Sequence, residues 1–407
     1  MRRDYIERGL EAVLRKAAKE FPAIVLTGPR QSGKTTLLRH VFGTGYRYVS
    51  LEPPEVRASA AADPKGFIEI NQPPVVLEEV QYAPGLLPYV KEKVDAKRSK
   101  AGQYILTGSQ NLLLMERVTE SLAGRAAMLK LLPLSVRETV GTPHAVFPWE
   151  KETTGVKREK MGFKEAWHAF LRGGYPEVVA DPNRDAVLWH SSYVQTYLER
   201  DVRTLRQIGD LTQFQVFLKT LASRSGQLLD LTEVSRDLGI AVNTVKAWLS
   251  VLEATFQIVI LRPYHVNVGK RLVRTPKVYF TDVGTLCYLV GLRDYSHAMN
   301  SPMNGAIFET VVFSEILKTL LSRGLEPSIY FWRTSTGMEV DFIIEAAGKL
   351  IPIEVKNIST AKPEMAAGIT AFQKDYGNKA AEGYVVNWGD TYLALAPKVK
   401  AMPFWVF

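Results

Sequence analysis

The run Gly28-Pro29-Arg30-Gln31-Ser32-Gly33-Lys34-Thr35-Thr36 matches the pattern G-x-x-x-x-G-K-[ST]. Each residue type answers to a chemical task. Glycines let backbone N–H groups curl round phosphate oxygens, and the start of a helix behind them favours negative charge. Lys34 reaches the β- and γ-phosphates, and the Thr35 hydroxyl ligates Mg²⁺. This is the chemistry of a nucleoside triphosphate held with its metal, ATP and Mg²⁺ being the expected ligands.

Hydrolysis needs acidic groups beside that loop. Pro73-Pro74-Val75-Val76-Leu77-Glu78-Glu79-Val80-Gln81 is an apolar run that ends in paired carboxylates. The first of such a pair holds Mg²⁺ through its water shell, and the second polarises the attacking water as general base. The usual first residue is Asp, so Glu78 brings one extra methylene towards the metal. A further apolar run, 103–107, leads into Gly108-Ser109-Gln110-Asn111. There Ser109, or else Asn111, is expected to sense the γ-phosphate or orient the water. Ser121-Leu122-Ala123-Gly124-Arg125 adds an arginine with two readings. It is a finger on ATP, in its own chain or a neighbour's, or it is a salt-bridge partner.

A second constellation lies in the last third. Residues 304–321 have helical spacing, with Phe308, Val312, Ile316 and Leu320 on one face and Glu309 near the start. Residues 338–345 read as a strand carrying Asp341, and 349–356 as another carrying Glu354 and Lys356. On adjacent strands Asp341 and Glu354 converge on one divalent cation, with Glu309 as an additional ligand, and Mg²⁺ prefers such hard oxygen donors. Lys356 lies two residues from Glu354 and so on the same strand face. It is placed to activate the attacking water and to stabilise charge at phosphorus. The alternative is an inactive scaffold in which Glu354 and Lys356 form a buried ion pair.

The elements around these groups are legible in outline. Residues 4–20 have helical spacing and end at Phe21-Pro22; 23–27 is a wholly apolar run that reads as a buried parallel strand. Residues 126–131 form another strand. Residues 141–160 lack periodicity, carry the charge run 157–160, and read as a surface connection. Helices are expected over 163–171 and 189–202, with Arg172-Gly173-Gly174-Tyr175-Pro176-Glu177 as a tight bend that packs Tyr175. Phe214, Phe217, Leu218 and Leu221 mark the first of three helices; the second spans 231–238 with a Thr232 cap, and the third runs from Asn243 to about Ala254. Strands at 257–261 and 277–280 follow, which makes a winged helix-turn-helix. In that fold Asn243, Thr244 and Lys246 face the major groove, and Lys270, Arg271 and Arg274 meet phosphates. The competing reading is a protein-packing module.

The order of phosphate loop, strand with Glu-Glu, Leu-Thr-Gly-Ser-Gln and Ser-Leu-Ala-Gly-Arg resembles AAA+ superfamily ATPases. It is most similar to the prokaryotic branch with a C-terminal conserved domain of unknown function. The helix with Glu309, the strand with Asp341 and the strand with Glu354-x-Lys356 resemble the core of the PD-(D/E)xK nuclease fold. The resemblance implies an α/β multidomain chain. It comprises a P-loop AAA+ parallel sheet with flanking helices (1–140), a helical connector (141–210), a winged helix (211–285) and a PD-(D/E)xK-like α/β domain (286–407). It implies ATP hydrolysis that drives the attached domains on nucleic acid. DNA is the expected partner, and a homo-oligomer or protein partner is left open. The alternatives are a nucleotide-controlled switch or scaffold with an inactive nuclease fold, and an ATP-gated metal-dependent nuclease.

Composition bounds the rest. A chain of 407 residues predicts two to four domains. With 46% hydrophobic and 23% charged residues it is ordinary globular protein, and a largely disordered chain is excluded. No run of apolar residues is long enough to span a bilayer, so no membrane partner is expected. The single cysteine, Cys287, rules out a disulfide framework and fits a reducing cytoplasm. A net charge of +9 attracts polyanions, but only its location decides whether nucleic acid is the partner.

Overall fold

The apolar run before the phosphate loop forms strand β1 (Ala23–Thr27), buried along its length. Such a run is covered on both faces, the environment of a parallel sheet. The computed structural model describes residues 5–109, 121–150, 161–198, 211–264 and 274–406. It sets β1 within a five-stranded parallel sheet of order β2-β3-β4-β1-β5. The partners are β2 (Arg47–Ser50), β3 (Val75–Glu78), β4 (Tyr104–Gly108) and β5 (Ala126–Lys130). Alternate residues of β1 serve opposite cores, as the strand period of two requires. Ile24 and Leu26 pack with Leu14, Leu37 and Leu38 of helices α1 (Glu11–Glu20) and α2 (Lys34–Phe42). Ala23 and Val25 pack with Val90 and Val94 of the helix Leu87–Ala96 on the other face.

Helix α1 is shorter than the spacing of residues 4–20 predicts. Arg8 turns away from a helical path because its guanidinium reaches Ser32 O at 2.9 Å, Leu132 O at 2.6 Å and the Glu138 carboxylate at 3.0 Å. Phe21 ends the helix as expected.

Beyond the sheet come α3 (Phe163–Arg172) and α4 (Ala186–Tyr193), the latter continuing as one π-helical turn, Val194–Leu198. Three helices follow, α5 (Leu211–Ala222), α6 (Leu231–Leu238) and α7 (Val242–Ala254). An antiparallel pair, β6 (Ile258–Leu261) and β7 (Lys277–Phe280), comes next, so three helices are followed by two paired strands. Helix α6 is capped by Asp230 and not by Thr232: its carboxylate accepts from Thr232 N at 2.8 Å and Glu233 N at 3.2 Å. Asp230→Ala is therefore expected to lower stability by about 1 kcal/mol in chemical denaturation, the usual cost of a lost cap, whereas Thr232→Ala changes little.

Helices α8 (Val283–Leu289) and α9 (Asn304–Ser322) lead into β8 (Ile329–Arg333), β9 (Glu339–Ala346), β10 (Lys349–Val355), β11 (Gly383–Asn387), β12 (Leu393–Ala396) and β13 (Val399–Pro403). These form a mixed sheet of order β12-β13-β11-β10-β9-β8, and α10 (Ala367–Tyr376) lies against β9 and β10. One continuous core runs through the parts after the first sheet: Trp167 and Phe170 of α3, Phe214 and Trp248 of the three helices, and Phe308, Trp388 and Phe404 of the last part. The expected boundaries at 210 and 285 are thus crossed by shared apolar packing. No described helix is long and apolar enough to cross a membrane.

Candidate functional site: a nucleotide cleft and a carboxylate pocket

Ligands of α/β sheets gather at the carboxyl ends of the strands. Here β4 lies between β1 and β3, with Thr27 opposite Gly108 and Leu77 opposite Leu106. The phosphate loop leaving β1, Ser109 leaving β4 and Glu79 leaving β3 are thereby brought to one end of the sheet. Gly28 lies hard against the end of β5, where a Cβ would collide with Leu131 O. Gly33 precedes α2 at φ 90°, a left-handed value that favours glycine. Lys34 is buried and donates to Gly28 O at 3.0 Å and Pro29 O at 2.9 Å. Arg30, Gln31, Gly33, Lys34, Thr35 and Thr36 line a cleft of about 610 Å³, with Glu52 and Glu79 among the other walls. Pro29 and Ser32 are buried beneath its rim.

Glu79 adopts left-handed backbone angles, φ 55° and ψ 46°. For a residue with a Cβ this costs on the order of 1–3 kcal/mol and is characteristic of functional sites. Its carboxylate accepts from Ser109 Oγ at 3.0 Å and from Gln81 Nε2 at 2.5 Å. Two of the expected catalytic groups are therefore in contact, and Gln81 joins them unforeseen. Glu78, at the end of β3, is buried and does not line the cleft; among the described residues its Oε1 has no hydrogen-bond partner. An orphaned buried carboxylate oxygen beside a phosphate loop suits a hydrated Mg²⁺ held with nucleotide by Thr35 and Glu78. The ion would supply charge neutralisation at the phosphates.

Arg125 stands elsewhere. Its carbonyl accepts from Ala23 N at 3.3 Å, at the amino end of β1 and so at the opposite end of the sheet from the loop. Its guanidinium grips Asp95 in two bonds, 2.5 and 3.0 Å. In its own chain the salt-bridge reading therefore replaces the finger reading. Asn111 lies outside the described residues.

Sequence reasoning missed the far wall of the cleft, formed by Tyr5, Ile6 and Arg8 and by Pro176, Glu177 and Ala180. The Gly173-Gly174 bend does bury Tyr175, against Trp189 and Tyr193. It also carries Pro176 over the loop, so that a Cβ on Gly33 would lie 3.4 Å from Pro176 Cγ. Gly174 is tied on both sides: its carbonyl accepts from Leu134 N at 2.7 Å and its N–H donates to Asp282 at 2.7 Å. A Cβ on Gly284 would lie 2.6 Å from Gly173 Cα. The long helix α9 holds the same region, Lys318 donating to Leu134 O and Glu315 accepting from Val136 N.

The C-terminal carboxylates are drawn together, but around a lysine. Lys277 Nζ lies 2.6 Å from Glu339, 3.2 Å from Glu309 and 3.9 Å from Asp341. Glu309 also accepts from Tyr279 OH at 2.5 Å, and Asp341 from Val355 N at 2.8 Å. Glu354 pairs with Lys356 at 2.6 Å, and its second oxygen is buried without a partner. Burial, with Glu309 and Glu354 close by, pushes the Asp341 carboxyl well above its usual range. Burial alone would pull Lys277 down, but Tyr279 and the surrounding carboxylates outweigh it and hold the ammonium charged. Among the described residues no group of three or more His, Cys, Asp or Glu side chains is arranged to hold a metal ion. Of the expected metal set, Glu309 and Asp341 are met by Lys277, whereas Glu354 pairs with Lys356. Lys277 and Glu339 were missed because the run Lys-Val-Tyr-Phe reads only as a strand.

On the three-helix part, Asn243 and Lys246 are exposed, Thr244 is half-buried and Arg274 is exposed. Lys270, Arg271 and the charge run 157–160 lie outside the described residues.

Residues 20–140 match an AAA domain family. Residues 164–296 and 304–407 match two domains of unknown function, DUF8612 and DUF4143. The first of these two crosses the expected boundaries at 210 and 285, as the shared core does. With the phosphate loop and parallel sheet, these findings define a P-loop ATPase fold of the AAA type joined to a separate mixed-sheet part. The chain is 30% identical over 397 residues to the uncharacterized protein Rv2008c of Mycobacterium tuberculosis, spanning 97% of this chain and 83% of that one, and it belongs to the same family. An uncharacterized protein of Haemophilus influenzae is 24% identical, with 81% of each chain covered. Among solved structures, the Walker-type ATPase PABY2304 of Pyrococcus abyssi is similar at 17% identity and a TM-score of 0.48, over 71% of this chain and 97% of that one.

Proposed function

We propose that the protein hydrolyses ATP at the β1–β3–β4 edge and uses the cycle to move a C-terminal part that acts on nucleic acid. The observation that carries the ATPase reading is the Glu79 carboxylate, fixed by Ser109 and Gln81 and facing the same cleft as Lys34 and Thr35. Glu79 acts as general base on a water that Ser109 helps to orient. Lys34 neutralises phosphate charge, and the loop amides hold the β-phosphate. Tyr5, Ile6, Pro176 and Ala180 offer the apolar wall against which the base rests. Arg125 serves a neighbouring chain only if an oligomer releases it from Asp95.

The nucleic-acid reading is supported by the exposed Asn243 and Lys246 at the start of α7, by the exposed Arg274, and by the basic composition of the sequence 270–274. Charge reversal at Lys246, Arg271 and Arg274 is expected to weaken DNA binding and to flatten its salt dependence. The slope of log affinity against log salt should fall by roughly 0.9 for every phosphate no longer neutralised. Unchanged affinity and slope in a fluorescence-anisotropy titration would leave α7 as a packing element.

The mixed-sheet part is read as a PD-(D/E)xK-like domain. Lys277 among its carboxylates favours a second reading, in which ATP controls a domain that does not cut. ATP turnover with and without DNA, followed by gel analysis of that DNA, separates the two. Slow turnover that DNA does not stimulate, with the DNA left intact, supports the second, and Mg²⁺-dependent cutting supports a nuclease.

A further inference from the structure

Lys277 has no part in nucleotide chemistry, yet its ammonium occupies the point on which the C-terminal carboxylates focus. Helix α9 supplies Glu309, strand β9 supplies Glu339 and Asp341, and the cation comes from a third element, strand β7. Its side chain is 4% exposed. So dense a set of buried carboxylates is costly without a countercharge. Arg333 neutralises one Glu339 oxygen at 2.8 Å, and Lys356 one Glu354 oxygen, which leaves Lys277 as the cation common to Glu309, Glu339 and Asp341. A magnesium-sized ion binds carboxylate oxygens at about 2.0–2.1 Å. It would need the space that the ammonium fills, and two cations at one point repel strongly in a buried site. The residues present therefore do not fit a metal while Lys277 is in place.

We propose that Lys277 is the resident cation of this pocket, and that Glu309, Glu339 and Asp341 take a divalent metal ion only when the Lys277 side chain is replaced or withdrawn. The inference deepens the nuclease-like reading of the mixed-sheet part and rests on it for the pocket's purpose, though not for its occupancy.

The test uses the full chain without nucleotide and Mn²⁺ as the probe, with free Mn²⁺ counted by electron paramagnetic resonance. Wild-type protein is expected to show no site that Asp341→Asn removes. Lys277→Met is expected to bind Mn²⁺ at least ~100-fold more tightly than wild type, because it removes a unit positive charge from the point the ion would occupy, where a buried site screens repulsion poorly. Lys277→Met/Asp341→Asn should lose that site. Lys277→Arg, which keeps the charge, should stay metal-free. If Lys277→Met folds only when Mn²⁺ is supplied, and does so only with Asp341 present, the inference stands. Tight Asp341-dependent Mn²⁺ binding by wild type overturns it, as does a Lys277→Met chain that gains no site or stays unfolded at every Mn²⁺ concentration. A metal-loaded Lys277→Met protein that leaves DNA uncut would remove the nuclease reading and leave the resident cation in place.

Discussion

Lys34→Ala and Glu79→Gln each lower ATP turnover by at least ~10²-fold, the scale of removing a charge stabiliser or a general base. The two fail differently. Lys34→Ala removes the ammonium that meets the phosphates, so fluorescent ATP analogues bind weakly. Glu79→Gln keeps an oxygen that accepts from Ser109 and nearly the same shape, so nucleotide still binds while the water goes unactivated. A steady-state phosphate-release assay beside a binding titration separates these outcomes. Turnover within threefold of wild type in Glu79→Gln would remove Glu79 from the mechanism. Ser109→Ala should fall between, because it loosens the base without discharging it.

The largest effect on stability is expected at Glu138. One carboxylate oxygen accepts from Arg8 Nε at 3.0 Å and Gly9 N at 2.9 Å, and the other from Ser135 N at 2.9 Å. Both partners of the ion pair are buried, with side chains 6% exposed. Glu138→Ala strands a charged guanidinium in the interior, and breaking a buried pair in this way costs about 3–5 kcal/mol. Arg8→Ala strands the carboxylate, and the double variant should recover part of the loss, because neither charge is then left alone. Urea denaturation of the three variants checks this. Arg8 also holds Ser32 O in the phosphate loop, so both single variants should raise the KM for ATP. Additive losses with an unchanged KM would show that Arg8 neither pairs with Glu138 in solution nor steadies the loop.

How much of this was legible follows from what each residue had to reveal. The phosphate loop is local: its residues are consecutive and their chemistry is fixed by type, so its place at the end of β1 was readable. Glu79 and Ser109 were readable for a related reason, since apolar runs that end in polar residues mark the carboxyl edge of a parallel sheet. Strand β2, Arg47-Tyr48-Val49-Ser50, was not, because a half-buried edge strand has neither an apolar run nor clean alternation. The two readings of Arg125 stayed open because sequence order does not say which end of a strand a residue occupies. Tyr5, Pro176 and Lys277 reach their sites from far along the chain, and nothing local to them signals the destination. The division at 285 failed to anticipate a core in which Phe214 and Phe308 belong together, since linker composition is the only boundary signal a sequence carries.

Gly173 and Gly284 meet backbone to backbone beneath the roof of the nucleotide cleft, with Asp282 bridging them to Gly174. Contacts through side chains have slack, because a rotamer can swing to absorb a small displacement before anything beyond it moves. Here that cushion is missing. Pro176 stands on one side of the joint and β7, with Lys277 at its head, on the other. At this point the two main chains touch directly, and a Cβ on either glycine would force them apart. The closeness of that approach is set by what both residues leave out, a methyl group on each side.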